Sequence, residues 1–113
     1  MSSTLFTRII DREIPADIVF EDNQCIAIRD IQPAAPMHIL LIPKKPIPKL
    51  VDATADDQAL LGHLMIKAGE IASAEGYGEA FNLCINNGEE AGQTVFHLHL
   101  HLLGGKKLNV LPG

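Results

Sequence analysis

An α+β domain is what this sequence predicts, with a largely antiparallel five-stranded sheet, one short N-terminal helix and one long helix. Three observations lead there. DIVFED (17–22) and QCIAIRD (24–30) flank Asp22 and Asn23 as the two arms of a hairpin. Leu61, Leu64, Met65, Ala68, Ile71 and Ala72 recur at the spacing of one helical face. AFNLCIN (80–86) and the end of TVFHLHLHLL (94–103) alternate in polarity, as half-buried strands do.

The elements follow in order along the chain. Thr4 is placed to cap a short helix running to about Asp11, and Pro15 stops any continuation by removing a backbone donor. After the hairpin, IQPAAP interrupts with two prolines, and HILLIP (38–43), apolar on both faces, suits a central strand. KKPIPKLVD reads as a surface connection, with Lys44 and Lys45 as solvated charges. Thr54 opens the long helix, and Asp57 supports its free amides; Gly76 and Gly78 end it. His63, on the polar side of that helix, reads as merely exposed. In the next strand Phe81, Leu83 and Ile85 share one face and Asn82, Cys84 and Asn86 the other. The loop NGEEAGQ then leads into TVFHLHLHLL, which Gly104 and Gly105 close. The chain shows no internal repeat and no low-complexity segment.

Composition bounds the function. A length of 113 residues suits one domain spanning 1–113, and 47% hydrophobic with 20% charged residues is an ordinary globular balance. No apolar run approaches a bilayer span, so no membrane partner is expected. MSSTLFTRII has no basic head, apolar core and cleavage site, and the expected location is cytoplasmic. Cys25 and Cys84 form no CxxC pair, in keeping with a reducing compartment, and Cys84 has no activating partner in the sequence. The net charge of −5 argues against binding a nucleic-acid polymer through a positive field. Any phosphate must be held locally.

Residues 97–101, HLHLH, place three of the five histidines two apart. On a strand they would share a face, with Leu98, Leu100 and Leu102 on the other. A solvated polar edge is the plainest explanation, but serine or lysine would serve it as well. A zinc site is a second: at roughly 3.3 Å per residue the outer two lie about 13 Å apart, so one ion could take two of them with His38 or Cys84, never all three. Covalent catalysis on a phosphate is the third and best supported. Neutral imidazole is a nucleophile near pH 7, neighbouring rings discourage one another's protonation, and the middle ring can attack while its neighbours hold phosphate oxygens. Gly88 and Gly92 in the preceding loop let backbone amides approach a ligand, beside Gln93 and the Thr94 hydroxyl. No metal and no cofactor is called for.

GQTVFHLHLHLL resembles the signature of the histidine triad (HIT) superfamily, three histidines separated by hydrophobic residues. FTRIIDREIPADIVFED, IAIRDIQPAAPMHILLIPKK and HLHLHLLGG extend the likeness to the Hint branch of nucleotide hydrolases over nearly the whole chain. The resemblance implies a HIT-like fold and a homodimer acting on purine nucleoside 5'-phosphoramidates, with a nucleotidyl-histidine intermediate at His99. It implies that His101 contacts the phosphate and assists the leaving group, that Thr94 and the Gly92 amide bind phosphate oxygens, and that His97 and His38 orient their neighbours. Asp30 would hold the ribose, Asn86 would lie beside ribose and phosphate, and Phe6, Ile9, Ile28 and Ile31 would wall the purine. Two departures stand out: Thr94 occupies a position often serine, and KKLNVLPG lacks the tryptophan found near the end of several relatives, where the C-terminus reaches toward the partner's site. Dinucleoside polyphosphate hydrolysis, and a nucleotide-binding scaffold role, remain as alternatives.

Overall fold

The computed structural model describes residues 3–108; the C-terminal end NVLPG, for which a role near the partner's site is expected, lies outside the described residues. Helix α1 (Leu5–Ile10) precedes strands β1 (Ile18–Glu21), β2 (Cys25–Arg29) and β3 (Met37–Pro43); helix α2 (Gln58–Ala74) and strands β4 (Phe81–Cys84) and β5 (Leu100–Gly104) follow. The strands form one sheet in the order β1-β2-β3-β5-β4, and every neighbouring pair is antiparallel. The α+β expectation is met. Among the described residues no helix is long and apolar enough to cross a membrane.

Strand alternation divides the core into two layers. Cys25, Ala27, Met37, Ile39, Leu41, Leu100 and Leu102 face α2, whose Leu64, Ala68, Ile71 and Ala72 pack on them. Ile26, Ile28, Leu40 and Ile42 face the other way and receive Phe6 and Ile9 of α1. This is why HILLIP is apolar throughout: β3 is central and covered on both sides. Burying Phe6 and Ile9 contributes about 2 kcal/mol each, which holds a helix of only 6 residues against its own poor stability.

Local signals act as expected at several places. The Thr4 hydroxyl accepts from the Thr7 amide and the Thr7 hydroxyl returns the favour to the Thr4 amide, a capping box. Thr54 and Asp57 repeat that device ahead of α2. At the hairpin, Asp22 Oδ1 accepts the amides of Gln24 and Cys25, which tightens the turn.

Other expectations need correction. Met65, assigned to the buried stripe, is half exposed, as is Leu83 on the edge strand β4. The helix is wetter than its sequence pattern because only one side of it meets the sheet. Lys44 and Lys45 are not free surface charges: they pair with Glu21 and with the buried Asp57. His63 is not simply exposed, since its Nε2 meets Asp22 at 2.7 Å. The fourth strand stops at Cys84, short of Ile85 and Asn86.

The largest difference is in TVFHLHLHLL, where strand pairing begins only at Leu100. Upstream, ladder bonds are replaced by side-chain bonds: His97 Nε2 reaches the Pro43 carbonyl at 2.6 Å and His99 Nδ1 reaches the His97 carbonyl at 2.7 Å. The Leu98 amide donates to Ile47, in the connection after β3. The histidines themselves end the ladder.

Candidate active site

A cleft of about 470 Å³ opens on the α1 side of the sheet. Its apolar wall is Phe6, Ile9, Ile28, Leu40 and Val95, and its polar end is Asp30, Thr94, His99 and His101. The positions come from different elements for one reason: β2, β3 and β5 lie side by side, so Ile28, Leu40 and His101 stand in a row across the sheet. A larger hollow of about 620 Å³ lies at the β4 side, around Tyr77, Phe81 and Lys106. It contains no histidine, so the chemistry points to the smaller one.

Hydrogen-bond partners assign the tautomers, since a carbonyl only accepts and an amide N–H only donates. His99 donates from Nδ1 to the His97 carbonyl, which leaves the Nε2 lone pair free. His97 donates from Nε2 to the Pro43 carbonyl, and its Nδ1 is buried without a partner. His38 Nδ1 accepts the Ala34 amide at 3.0 Å, so its proton is on Nε2, which lies 3.0 Å from His101 Nδ1. His101 therefore accepts at Nδ1 and carries its own proton on Nε2. The outcome is a pair of unlike rings 5.0 Å apart between centroids, one with a lone pair and one with a proton to offer.

Burial reinforces the neutral state. His97 and His99 are almost wholly enclosed, the latter with its ring 4.8 Å from Phe6, edge to face. Loss of solvent holds both below the ordinary imidazole value, opposed by the carbonyl each one bonds. His101 is pushed down to about 4, first by burial and then by His99 and His38, with Asp30 acting the other way. Asp30 is tied in turn: Oδ1 accepts the Gln32 amide at 2.8 Å, and Oδ2 lies 3.5 Å from His38 Nε2. Its turn-capping role is thus real and leaves one oxygen at the cleft.

The other expected residues divide into those at the cleft and those behind it. Phe6, Ile9, Ile28 and Thr94 line it, and Ile31 does so from an exposed rim. His97 and His38 sit behind His99 and His101. Gln93 is not among the residues that line the cleft. Its side chain is buried and fully used, accepting from the Gly88 amide and donating to the Pro48 and Val95 carbonyls. Gly92 takes a left-handed φ of 96°, with Asn86 packed beside it. Asn86 does not line the cleft; it accepts a bond from the Cys84 thiol. Leu40, Val95 and Asp17 are cleft residues that sequence reasoning missed. Leu40 alone carried a signal, as an apolar residue alternating with His38 in β3. Cys25 is no nucleophile, because burial, with Asp22 beside it, pushes its thiol up to about 12.

Asp30, His38 and His101 present ligand atoms within 4.8 Å of one another and could take a cation, though His38 and His101 already satisfy each other. This is a different set from the two-histidine group with Cys84 that the sequence offered.

A HIT domain model matches residues 11–108. The chain belongs to the HIT family. An uncharacterized HIT-like protein of Synechocystis sp. is 60% identical over 97% of this chain and 96% of its own length. Protein HitA of Neisseria gonorrhoeae is 46% identical over 92% and 97%. Among solved structures, a HIT family hydrolase from Legionella pneumophila Philadelphia 1 superposes with a TM-score of 0.94 at 46% identity, covering 98% of this chain and 100% of that one. A histidine triad protein from Clostridium difficile gives 0.92 at 36% identity, over 99% and 100%. The HIT signature in the sequence and these likenesses agree.

Proposed function

We propose that this HIT protein is a Hint-type hydrolase that cleaves the P–N bond of purine nucleoside 5'-phosphoramidates. The observation that carries the reading is the His99 ring, held by its Nδ1–H on the His97 carbonyl at 2.7 Å so that Nε2 keeps a lone pair beside the cleft. The purine packs on Phe6, Ile9 and Ile28, and the free oxygen of Asp30 meets the ribose hydroxyls. His99 Nε2 forms a bond to the α-phosphorus as the P–N bond breaks. The departing amine takes a proton from His101, whose imidazolium becomes accessible once a phosphate anion lies beside it. Water then adds to phosphorus, giving a proton to the now neutral His101, the P–Nε2 bond breaks with its electron pair returning to His99, and the nucleoside monophosphate leaves. Thr94 Oγ1 and the Gly92 amide bind phosphate oxygens. His38 sets the tautomer of His101, and His97 presents the carbonyl that orients His99. The Legionella structure's description as a hydrolase supports the reaction class.

We also infer a homodimer. Strand β4 is a sheet edge, and exposed apolar residues gather on β4 and α2: Leu83, Met65 and Ile66. Sedimentation or light scattering should give twice the 12.2 kDa chain mass.

The direct test follows AMP release from an adenosine phosphoramidate in EDTA, with His99→Gly alongside. Turnover by the wild type alone supports the proposal, while AMP release by both proteins, or by neither, rejects it. Faster cleavage of a diadenosine polyphosphate than of the phosphoramidate would favour the polyphosphate reading.

A further inference from the structure

One group of chemistry-bearing side chains plays no part in the cleft. Asp22 lies in the β1–β2 turn, Cys25 opens β2, and His63 stands on α2. One carboxylate oxygen, the thiol sulfur and an imidazole nitrogen from these three residues all lie within 4.8 Å of one another. We propose that Asp22, Cys25 and His63 bind a divalent transition-metal ion of the zinc class, on the α2 side of the sheet and independently of the hydrolytic reaction.

The donor set selects the metal. Thiolate, imidazole and carboxylate together suit zinc and its neighbours, whereas magnesium and calcium take oxygen ligands. Two of the donors are anionic when bound, so they neutralise the ion's two charges where one ligand is wholly buried. A tetrahedral zinc with bonds of about 2.0–2.3 Å wants its ligand atoms roughly 3.3–3.8 Å apart. The present cluster meets that with small shifts, the Asp22–His63 contact opening from 2.7 Å.

The surroundings are ready for such an ion. Asp22 Oδ1 is held by the amides of Gln24 and Cys25, each at 2.8 Å, which points Oδ2 at His63 and leaves it for a metal. The Asp22 and His63 side chains are 22% and 25% exposed, so the ion has a path in from solvent and a water for its fourth position. The nearby cations Lys44 and Lys67 are engaged by Glu21 and Glu70 at 2.8 and 2.9 Å. On binding, the S–H bond of Cys25 breaks as the sulfur–metal bond forms, and that proton goes to solvent. His63, whose Nε2–H donates to Asp22 Oδ2 in the free protein, gives up that proton and takes one on Nδ1 through solvent, so that the Nε2 lone pair is offered to the ion. The ion would then clip the first hairpin to α2. The Asp22–His63 hydrogen bond brings two of the donors together, and Cys25, packed in the core layer beneath α2, adds sulfur as the third.

Cobalt(II) is the probe, because a thiolate ligand gives it a near-ultraviolet charge-transfer band that nitrogen and oxygen ligands do not. Titrated into the full-length chain, cobalt should produce this band, saturating at one ion per chain, and zinc should abolish it. Cys25→Ser should lose the band, His63→Ala should weaken binding at least tenfold, and Cys84→Ser should behave as wild type. A folded wild type with no thiolate band overturns the proposal. So does a band that survives Cys25→Ser or disappears in Cys84→Ser, and so do cobalt spectra without sulfur character, which would place the metal at Asp30, His38 and His101. Should Cys25→Ser fail to fold by circular dichroism, the wild-type band and the partly exposed His63→Ala variant decide: an unchanged affinity in His63→Ala rejects the site.

Discussion

Replacing Gln93 with leucine keeps most of the side-chain volume and removes every polar contact it makes. Three backbone groups lose their partner: the Gly88 amide at 2.8 Å, the Pro48 carbonyl at 2.8 Å and the Val95 carbonyl at 3.0 Å. A hydrogen bond is worth about 1 kcal/mol net, and a buried group left unsatisfied costs about 1–3 kcal/mol. Some of these groups will recover water, since the loop is partly open, so the sum comes to about 3 kcal/mol. With a urea slope of about 1.5 kcal/mol/M the unfolding midpoint should fall by about 2 M. Activity should fall as well, because the segment clamped by Gln93 carries Gly92 and Thr94 and leads directly into the triad. Gln93→Glu should rescue little: it can still accept from Gly88 but would face two carbonyls with an oxygen. A contact to substrate predicts something different, a raised KM at unchanged stability. If Gln93→Leu moves the urea midpoint by less than about 0.5 M while KM rises, the clamp argument is wrong.

Other consequences can be measured with the same protein. His99→Gly should lower turnover at least about a thousandfold, since the nucleophile has no neighbour able to replace it; a loss under tenfold would contradict the assignment. His38→Phe removes the donor that holds the proton of His101 on Nε2, and kcat should drop about tenfold to a hundredfold with little change in KM; an unchanged kcat would separate His38 from the chemistry. His101 is held at about 4 in the fold against an ordinary value of 6.5, so between those values the unfolded chain binds a proton that the native state refuses. Its contribution is therefore complete above pH 6.5 and is lost as pH falls toward 4, by about 1–2 kcal/mol after allowing for its partial exposure, with His97 and His99 acting in the same direction. A urea midpoint no lower at pH 4.5 than at pH 7 would refute this. Gly104→Ala would bring a Cβ to 2.9 Å from Tyr77 Cγ and 3.1 Å from Met37 Cε, an overpacking of about 1–3 kcal/mol that thermal unfolding should register; an unchanged melting temperature would show that Tyr77 moves aside freely.

Much of the fold was legible because local physics decides it. The Thr4 and Thr54 caps, the Asp22 turn and the two-sided apolar run of β3 each act through residues a few positions apart. The triad was equally legible, since alternation alone puts the three histidines on one side of the chain. The backbone clamp made by Gln93 was not legible: a glutamine beside a glycine-rich loop looks the same whether it faces a ligand or its own backbone. Only the fold of residues 88–95 against Pro48 settles which. Asp22 and His63 are 41 positions apart, and nothing in either neighbourhood announces the other.

What the amino-acid sequence determined by itself, then, is the set of helices and strands, the two-sided apolar run of the central strand and the run of three histidines. Those depend on spacing, capping and hydrophobic period, which are properties of short stretches. The tertiary structure decided where the last strand begins, which ring carries its proton on which nitrogen, and how firmly each is held neutral. Those depend on groups brought from far away in the chain: Pro43 and Ile47 beside the triad, Ala34 behind His38, and Phe6 over His99. An imidazole has the same intrinsic chemistry anywhere in a sequence, and the folded chain sets its proton by giving one nitrogen an acceptor or the other a donor.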